Sequence, residues 1–502
     1  MLSSIGLHTL RALLPALLLT LGACAAAPDR GPGKVSGQSS VSQAQALSVP
    51  PQLYESPTAL QTHELISPEF KPKHVYTLVE LIDLAQQLNP STRIAWGEAQ
   101  QAAAAAGMVE STYLPFISAN IVGGYMHNDR SDSVRLLGRE FELDYQTHLH
   151  GVVPAITLQW LLFDFGKRNA LQQGADKLAL ASRFAFTQAH QAVIAEVSTS
   201  YYTYNSARSR EKQAAEGLRN AATIEDIALE RVRNGLGTTI EAAQARQLKA
   251  QARLHLVSSK AQTRQAYQML LGAVGLPPDA ELQVTDSAER ALPSDLDIPG
   301  NPQLQKAIAS RPDVQALQAA HQASLAGVDS ARASFMPKLM LMGFVSHPTG
   351  KLSVGTLPGI SSQAASSGAL LMLNIPLYDG GLRTKQIHEA QLRVKNAQER
   401  LRRTQNDAYK QMVIAADVLR TALESYRAAN ELVQAAQLTY DGALASYREG
   451  LTGMTLLTEA HDGLLGAQEA LSVAHTAGLV GSVNLAFAMG ELNRMPATAS
   501  TP

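Results

Sequence analysis

The chain contains few residues whose types and spacing could do chemistry, and the most suggestive are three histidines. His148 and His150 stand two positions apart, and His127 lies earlier in the same region. Structural zinc sites combine histidine with cysteine ligands at short spacing, and no cysteine or acidic cluster stands at ligand spacing here. We therefore expect a surface loop at these histidines, with no metal site and no cofactor.

Patterns typical of catalysis are also missing from the sequence. Gly380-Gly381 is not a phosphate-binding loop, because no Gly-Lys-Ser/Thr follows it. No nucleophile stands in a recognisable arrangement with a base. The formal charge of -1 gives no reason to expect nucleic acid. The sequence therefore predicts a protein that is not an enzyme and does not bind nucleic acid.

Cys24, the single cysteine, ends a targeting pattern. The apolar run at 12–21 is too short to span a bilayer as a mature helix and has the form of a signal peptide. It ends in Leu-Gly-Ala-Cys, which resembles a bacterial lipobox, where the cysteine becomes the acylated first residue. We expect lipidation at Cys24, and Ala25 after it resembles outer-membrane sorting. The alternative is an ordinary Ala-x-Ala cleavage site and an idle cysteine.

The secondary-structure elements that would position any site occur twice along the sequence in the same order, which indicates an internal repeat. Four short patterns recur at a nearly constant offset. They are Asn89-Pro90 with Arg311-Pro312 and Tyr113-Leu114-Pro115 with Phe335-Met336-Pro337, both 222 residues apart, and Phe163–Arg168 with Tyr378–Arg383 and Gly235-Leu236 with Gly450-Leu451, both 215 apart. The halves therefore align throughout, with seven residues lost from one loop.

Each half contains two segments with the period of a β-strand. Ile117, Ala119, Ile121 and Tyr125 share one face of the first segment, and Ile156, Leu158, Trp160 and Leu162 share one face of the second. Leu371, Leu373, Ile375 and Leu377 repeat that parity in the other half, and a polar loop is predicted at 128–150. One apolar and one mixed face fit a transmembrane barrel, with Trp160, Phe163, Phe165 and Tyr378 as an aromatic girdle. A half-buried soluble hairpin is the alternative.

Long helices follow each hairpin. No proline occurs between 155 and 276 or between 377 and 495, so a helix from 167 to 234 would extend about 100 Å at 1.5 Å per residue. Small residues at steps of three and four along it indicate a coiled-coil seam. Two shorter helices, one before the hairpin and one after the Gly-Leu turn, together nearly match that length. Each half can therefore pack one long helix beside two stacked short ones.

The predicted organisation follows from these patterns. The segments are a signal peptide at 1–23, a lipidated linker at 24–72, a first repeat at 73–280 (hairpin 116–163, long helix 167–234, return helix 238–273), a linker at 281–300, a second repeat at 301–490 (hairpin 338–378, long helix 382–449, return helix 453–489) and a flexible tail at 491–502. Four strands per chain cannot close alone in a bilayer. Two chains would give an eight-stranded barrel that its side chains largely fill, whereas three give twelve strands and a lumen, so we expect a homotrimer.

These features together resemble the TolC-type outer membrane efflux family over roughly residues 73–490. The resemblance rests on the duplicated order of elements, on "LNIPLYDGGLR" at the strand-to-helix junction, on the "RVRNGL" and "YREGL" turns and on the lipobox. It implies a mixed α and β membrane protein, a trimeric 12-stranded β-barrel continued by a periplasmic α-helical coiled-coil barrel. It also implies location in the outer membrane, among its lipids, and partnership with a periplasmic adaptor and an inner-membrane pump of the resistance-nodulation-division or ABC type.

The resemblance gives individual residues a role. Gly235, Leu236, Gly450 and Leu451 would form the tips on which the adaptor docks, and Glu241, Tyr447, Arg448, Leu456 and Glu459 would form the periplasmic gate. Leu456 departs from family members that carry a second acid there, which places a double acidic ring and strong cation block in doubt. The alternatives are plain helix–helix turns without a partner and, for Glu459, an ordinary solvated carboxylate.

Three functions fit the sequence. The first is a passive outer-membrane exit duct for small toxic compounds expelled by a separate pump. The second is a type I secretion duct for proteins or peptides, and the third is a lipid-anchored periplasmic scaffold without a pore. Strand parity and the aromatic girdle favour a pore over a scaffold.

Overall fold

The computed structural model describes residues 70–492 apart from 137, 288–289, 295–297, 355–357 and 364. The predicted signal peptide, the lipidation site at Cys24, nearly all of the linker at 24–72 and most of the tail lie outside the described residues. The described part is built from long helices at one end and a curved antiparallel sheet at the other, and three helices of the first half have counterparts of equal length in the second.

The described residues form eight α-helices. They are α1 (Leu78–Leu88), α2 (Pro90–Ser111), α3 (Lys167–Arg233), α4 (Thr239–Val274), α5 (Asn301–Ala307), α6 (Pro312–Ala333), α7 (Leu382–Arg448) and α8 (Met454–Met489). A 3-10 turn, Ile308–Ser310, separates α5 from α6. Helices α2 and α6 have 22 residues each, α3 and α7 have 67, and α4 and α8 have 36. The long and return helices lie within one residue of the bounds expected from the sequence.

The large sheet is formed by β2 (Phe116–Leu136), β3 (Arg139–Phe163), β5 (Lys338–Ser346), β6 (Thr349–Val354), β7 (Ile360–Gln363) and β8 (Ser366–Asn374). One edge of β3 pairs with β2, and its other edge pairs with both β5 and β6. The sheet continues from β5 to β8 and from β6 to β7. It is therefore four strands wide, and within the described residues the outer edges of β2 and β8 have no partner strand.

The expectation of a polar loop at 128–150 is wrong. Strands β2 and β3 stay paired without interruption from Phe116↔Gln159 to Leu136↔Arg139, and Gly138 turns the chain with a φ of 80°. Among its polar residues, this stretch contains residues of high β-propensity, namely Val134, Phe141, Tyr145 and Thr147. In the second half, Ile375 and Leu377 lie beyond the end of β8, because Pro376 between them has no N–H for the ladder.

A small parallel pair, β1 (Val75–Tyr76) and β4 (Gln283–Val284), joins the start of the described chain to the segment between the halves. The sequence did not predict it. Around it lies an apolar cluster that includes Leu81, Val197, Leu270 and Leu271, all nearly inaccessible to solvent. This cluster fixes the first short helix and the inter-repeat segment against the long helix α3.

The two halves close their return helices with the same geometry and different chemistry. Asn89 donates from Nδ2 to the carbonyl of Ala273 at 2.9 Å, and Arg311 donates from Nη1 to the carbonyl of Ala488 at 2.7 Å. The following glycines, Gly275 and Gly490, have φ values of 87° and 74°. Each donor satisfies a carbonyl that the end of a helix leaves open. The recurrence of Asn-Pro as Arg-Pro in the sequence therefore corresponds to one structural position.

Alanine dominates the buried faces of the long helices, which lets the helix axes approach closely. Among the described residues, α8 alone is long and apolar enough to pass as a membrane span by length and composition. It packs on α7 and α3, and Leu457, Leu464, Leu479 and Val483 are buried there. This contact buries 33% of its most apolar stretch.

Candidate functional site at the paired helical turns

The two Gly-Leu turns have the same backbone geometry. Gly235 and Gly450 have φ values of 70° and 78°, and the next residue in each turn donates its N–H to a carbonyl five residues earlier. Leu236 N–H reaches Arg231 O at 2.8 Å, and Leu451 N–H reaches Ser446 O at 2.9 Å. This is the Schellman closure of a helix, in which the glycine takes the left-handed conformation without a Cβ penalty.

The leucines after these glycines point away from the protein. Leu236 is 70% exposed and Leu451 is 79% exposed. An apolar side chain at the second position after a helix usually packs back on the last helical turn, and these two do not. Each turn therefore presents an uncovered leucine at the end of the helical part, where the sequence analysis expected the docking tips.

Arg231 joins the two turns, although they are far apart in the sequence. Its Nη1 donates to Tyr447 O at 3.0 Å, and its Nη2 donates to Leu236 O at 3.1 Å. The guanidinium also lies 5.0 Å from the centre of the Tyr447 ring. It stands so close to Gly450 that a Cβ there would be 3.3 Å from Nη1. One side chain from the first half thus fixes the position of the second turn.

Sequence reasoning missed this arginine as a functional residue. "RVRNGL" was quoted for its turn, but the position that aligns with Arg231 in the second half is Ser446. A residue type that breaks the repeat at a conspicuous turn is a signal that could have singled it out. Its partner, however, is only visible once the two turns are brought together.

Tyr447 is the centre of the apolar cluster beneath the turns. Its side chain is fully inaccessible to solvent and packs with Ile224, Met454 and Leu457. Burial raises the pKa of its hydroxyl, and the nearby carboxylate of Glu241 raises that pKa further. The hydroxyl therefore stays neutral. The ring and the backbone carbonyl of Tyr447 both contact the Arg231 guanidinium.

The other predicted gate residues lie around this centre in different environments. Glu241 is in the first turn of α4, where its N–H donates to Thr238 Oγ1 at 3.2 Å. Arg448 is exposed, unlike its neighbour Tyr447. Leu456 is 46% exposed, and Glu459 is also exposed one helical turn further along α8. The structure thus groups Glu241 with Tyr447 and leaves the other three at the surface.

Glu459 lines a shallow polar groove between the two return helices. Its other walls are formed by amide, hydroxyl and carboxylate side chains from α4 and α8, namely Gln244, Gln247, Gln251, Thr455, Thr458 and Asp462, with Leu248. The groove contains carboxylates but no cationic side chain. It could therefore attract cations without an internal counter-charge.

Several shielded polar atoms at the turns have no hydrogen-bond partner within the described chain. They are Tyr447 Oη, Glu241 Oε2, Arg231 Nε and Thr452 Oγ1. A buried polar atom without a partner costs about 1–3 kcal/mol. Four such atoms lie at the turns, so the hydrogen-bonding capacity of this region is not fully satisfied by the chain's own atoms.

The sheet at the opposite end has one apolar face that runs across β2, β3, β5 and β8. Ile117 stands opposite Leu158, and Trp160 stands opposite Leu341, which stands opposite Leu371. The other face of the first hairpin is mixed, with a Ser118 to Thr157 hydroxyl contact of 2.8 Å and apolar pairs such as Val122 opposite Val153. Ile117, Ile121 and Leu371 are more than half exposed. An apolar face this large needs a cover other than water.

A buried ion pair fixes the junction between sheet and helix. Arg168 Nε lies 3.2 Å from Asp164 Oδ2, with both side chains under a tenth exposed. Arg168 also donates to Thr112 O and stacks over the Tyr113 ring at 4.6 Å. The second half repeats the pair as Asp379 and Arg383 at 3.4 Å, where both are about a fifth exposed. Of the four aromatic residues expected as a girdle, Phe163, Phe165 and Tyr378 are exposed near these pairs, and Trp160 is partly buried.

Comparison with known proteins gives consistent results for sequence and fold. A family model described as outer membrane efflux protein matches residues 81–276 and 303–491. Protein CyaE of Bordetella pertussis is 28% identical over 85% of this chain and 86% of its own length. The cation efflux system protein CusC of Escherichia coli K12 is 23% identical over 82% and 85%. The solved structure of the outer membrane protein VceC of Vibrio cholerae superposes with a TM-score of 0.66, at 20% identity, over 82% of this chain and 96% of that one.

Proposed function

Because the chain belongs to the outer membrane efflux protein family, it is an outer membrane efflux channel and not an enzyme, and we propose that it forms the exit duct of a three-part export machine. The other parts would be a periplasmic adaptor and an inner-membrane pump of the resistance-nodulation-division or ABC type. The duct would be passive and would carry small toxic compounds to the exterior. That substrate class agrees with the name of the relative CusC, a cation efflux protein.

The observation that carries the proposal is the four-strand sheet with two open edges and one continuous apolar face. A lipid bilayer does not tolerate an open sheet edge, because its backbone groups would be unpaired in hydrocarbon. The edge of β2 in one copy and the edge of β8 in the next can satisfy each other. Three copies give a 12-stranded barrel with a lumen, whereas two give an eight-stranded barrel that side chains fill. We therefore propose a homotrimer.

Exposed apolar residues on the helices support the same assembly. They lie mainly on α4 and α7 and include Ile240, Leu254, Val257, Ile414, Val418, Leu432 and Leu438. In a single copy these apolar side chains would be exposed to the water of the periplasm, which is unfavourable. A neighbouring copy that packs against them would bury apolar area at about 25 cal/mol per Å². The shielded unpaired atoms at the turns would gain their partners from the same packing.

The turn region fits a gate at the periplasmic end. In a trimer, three Glu459 carboxylates would form one ring, with Leu456 forming an apolar ring beside it. Glu241, held near Tyr447, would add charge behind that ring, and exposed Arg448 could reach a neighbouring copy. Arg231 would hold the two turns of each chain together while the gate is closed. Leu236 and Leu451, uncovered at the extreme end, would be the apolar contacts for the adaptor.

Lipidation at Cys24 would add a second attachment to the outer membrane. A single acyl chain binds a membrane only marginally, and two or more chains anchor stably. The acylated cysteine would therefore tether the N-terminal linker to the leaflet that the barrel enters. Metabolic labelling with a palmitate analogue, compared between the native chain and Cys24→Ser, tests this assignment directly.

The channel itself is tested by conductance in planar bilayers. From the native protein we expect discrete channels of one conductance, as a single trimer would give, with a low open probability. Combining Glu459→Ala with Arg448→Ala should raise the open probability. If neither protein conducts, although both run as folded trimers by light scattering in detergent, the chain is a scaffold without a pore. Co-purification of an ABC transporter and a secreted protein with the native complex would instead favour the duct for proteins or peptides.

A further inference from the structure

We propose that the middle of the first hairpin binds a divalent transition-metal cation of the Cu²⁺ or Zn²⁺ class through His127, His148 and Tyr125. The inference rests on the register of β2 and β3 and on side-chain distances, and it does not depend on the proposed export function. The same histidines gave no metal prediction from the sequence, where they fell in an expected loop.

The strand register brings the residues to one face. His127 stands directly opposite His148 in the ladder, and Tyr125 stands directly opposite His150. Residues two apart on a strand share a face, so Tyr125, His127 and Asp129 lie in a row beside the two histidines of β3. A spacing of 21 residues in the sequence therefore becomes a direct cross-strand pair.

Three ligand-type atoms meet at the centre of this row. His127 Nδ1 lies 3.0 Å from His148 Nδ1, and Tyr125 Oη lies 2.9 Å from the same His148 nitrogen. A ring nitrogen has a single in-plane site, which carries either one proton or one lone pair. His148 Nδ1 can therefore be hydrogen-bonded to only one of these neighbours at a time. A cation among the three atoms could be bound by all of them once the two imidazole rings turn their lone pairs toward it.

The carboxylate of Asp129 orients the His127 ring for metal binding. Its Oδ1 lies 3.1 Å from His127 Nε2, which in a neutral ring favours the tautomer with the proton on Nε2 and the lone pair on Nδ1. Metal-ligating histidines are commonly oriented by a carboxylate on the other ring nitrogen, which fixes the tautomer and raises ligand basicity. Here the free lone pair is on the nitrogen that faces His148 and Tyr125.

The ligand types define the class of ion. Imidazole nitrogens suit Zn²⁺, Cu²⁺ and Ni²⁺, and affinity within that series is highest for Cu²⁺. The described residues contain no group of three or more His, Cys, Asp and Glu side chains that could hold a metal ion, so the two imidazoles alone are too few ligands, and the phenol oxygen and water would complete the coordination. The rings are stacked at 4.4 Å with an interplanar angle of 20°, and they must rotate for both lone pairs to converge. The side chain of His127 is 37% exposed, which leaves room for that rotation.

A bound ion would join the two longest strands of the sheet. Between Met126↔Leu149 and Asp129↔Gln146 the ladder is held by backbone bonds and by exposed side chains. A metal bridge across this level would hold β2 and β3 together where the hairpin continues toward its tip. The site is therefore a clamp on the hairpin, built from residues that the gate and the turns do not use.

Titration of the tag-free, full-length protein in detergent with Cu²⁺, followed by electron paramagnetic resonance, tests the proposal. We expect one bound ion per chain with coupling to two nitrogens, displaced by excess Zn²⁺. His127→Ala and His148→Ala should each weaken binding at least tenfold, and Asp129→Asn should weaken it about tenfold, as loss of an orienting carboxylate does.

His388→Ala is the matched control, because His388 is an exposed histidine on α7, and it should bind Cu²⁺ as the native chain does. The native spectrum tests the ligand set even if a hairpin variant fails to fold. A signal without nitrogen coupling would overturn the proposal. So would equal affinity of the native chain and the folded double variant His127→Ala/His148→Ala, or an equal loss in His388→Ala.

Discussion

Removal of the Arg231 side chain should open the helical end of the channel. Two contacts of this residue join the two turns: the hydrogen bond to Tyr447 O at 3.0 Å and the position of the guanidinium over the Tyr447 ring at 5.0 Å. The bond to Leu236 O stays within the first turn and does not join the two halves. Only the first two contacts therefore count toward the closed state.

The expected magnitude follows from those two contacts. A hydrogen bond to a charged donor contributes about 1.5–3 kcal/mol, and a cation–π contact contributes about 0.5–1 kcal/mol where it is solvated. Arg231 is partly exposed, so we take the lower values, which gives about 2 kcal/mol for each chain. After the substitution, Tyr447 O still accepts a hydrogen bond from the N–H of Gly450 at 3.1 Å. The loss of Arg231 therefore adds no penalty for an unpaired carbonyl. About 2 kcal/mol corresponds to roughly a thirtyfold shift toward the open turn.

Single-channel recording of Arg231→Ala in planar bilayers measures that shift as open probability. We expect an increase of roughly thirtyfold, on the basis of those energies. Arg231→Lys keeps the charge but lacks the two donor groups of a guanidinium. Its open probability should therefore lie between those of the native channel and Arg231→Ala. Arg233→Ala, at an exposed position two residues later, is the matched control and should behave as the native channel. An open probability within about threefold of the native value, in a variant with unchanged trimer mass and melting temperature, would refute the assigned role of Arg231.

The remaining predictions concern the tip, the junction and the anchor. Leu451→Asp should abolish export in cells that contain the native pump while trimer assembly is retained, whereas Asn234→Asp in the other turn should export normally; unchanged resistance in Leu451→Asp would exclude docking at this leucine. Asp164→Ala should lower stability by about 3–5 kcal/mol, because it leaves a buried arginine unpaired, and Asp379→Ala should cost less because its pair is more exposed; equal shifts in melting temperature would contradict this reasoning. Cys24→Ser should yield a folded, conducting trimer that lacks the acyl mass by intact-protein mass spectrometry, and an unchanged mass would show that Cys24 is not acylated.

Much of the fold could be predicted because its signals are local. The absence of proline over more than a hundred residues, the spacing of small residues and the recurring Gly-Leu pair are all short-range features. They place α3, α4, α7 and α8 within one residue of their observed ends. Helix termination at Gly235 and Gly450 depends on backbone conformation at a single residue. Such features need no knowledge of what the helix packs against.

The hairpin was harder to predict, because the polarity of 128–150 indicates a loop whereas its backbone pairing is a property of two strands together. The second strand supplies the hydrogen bonds that make the polar stretch extended. The same pairing created the His127 and His148 contact. Neither residue carries a local signal for the other, and the spacing of metal ligands in sequence was therefore a poor guide.

By itself, the sequence determined the repeat, the lengths of the helices, the two turns and the family. Tertiary structure decided which residues act together at those turns: Arg231 with Tyr447 across 216 residues, and Glu241 beside the same tyrosine. It also decided that Arg448, next to that tyrosine in sequence, faces solvent. The physical reason is that helix period and glycine conformation are properties of neighbouring residues, whereas burial and charge pairing depend on distances that only the packed halves establish.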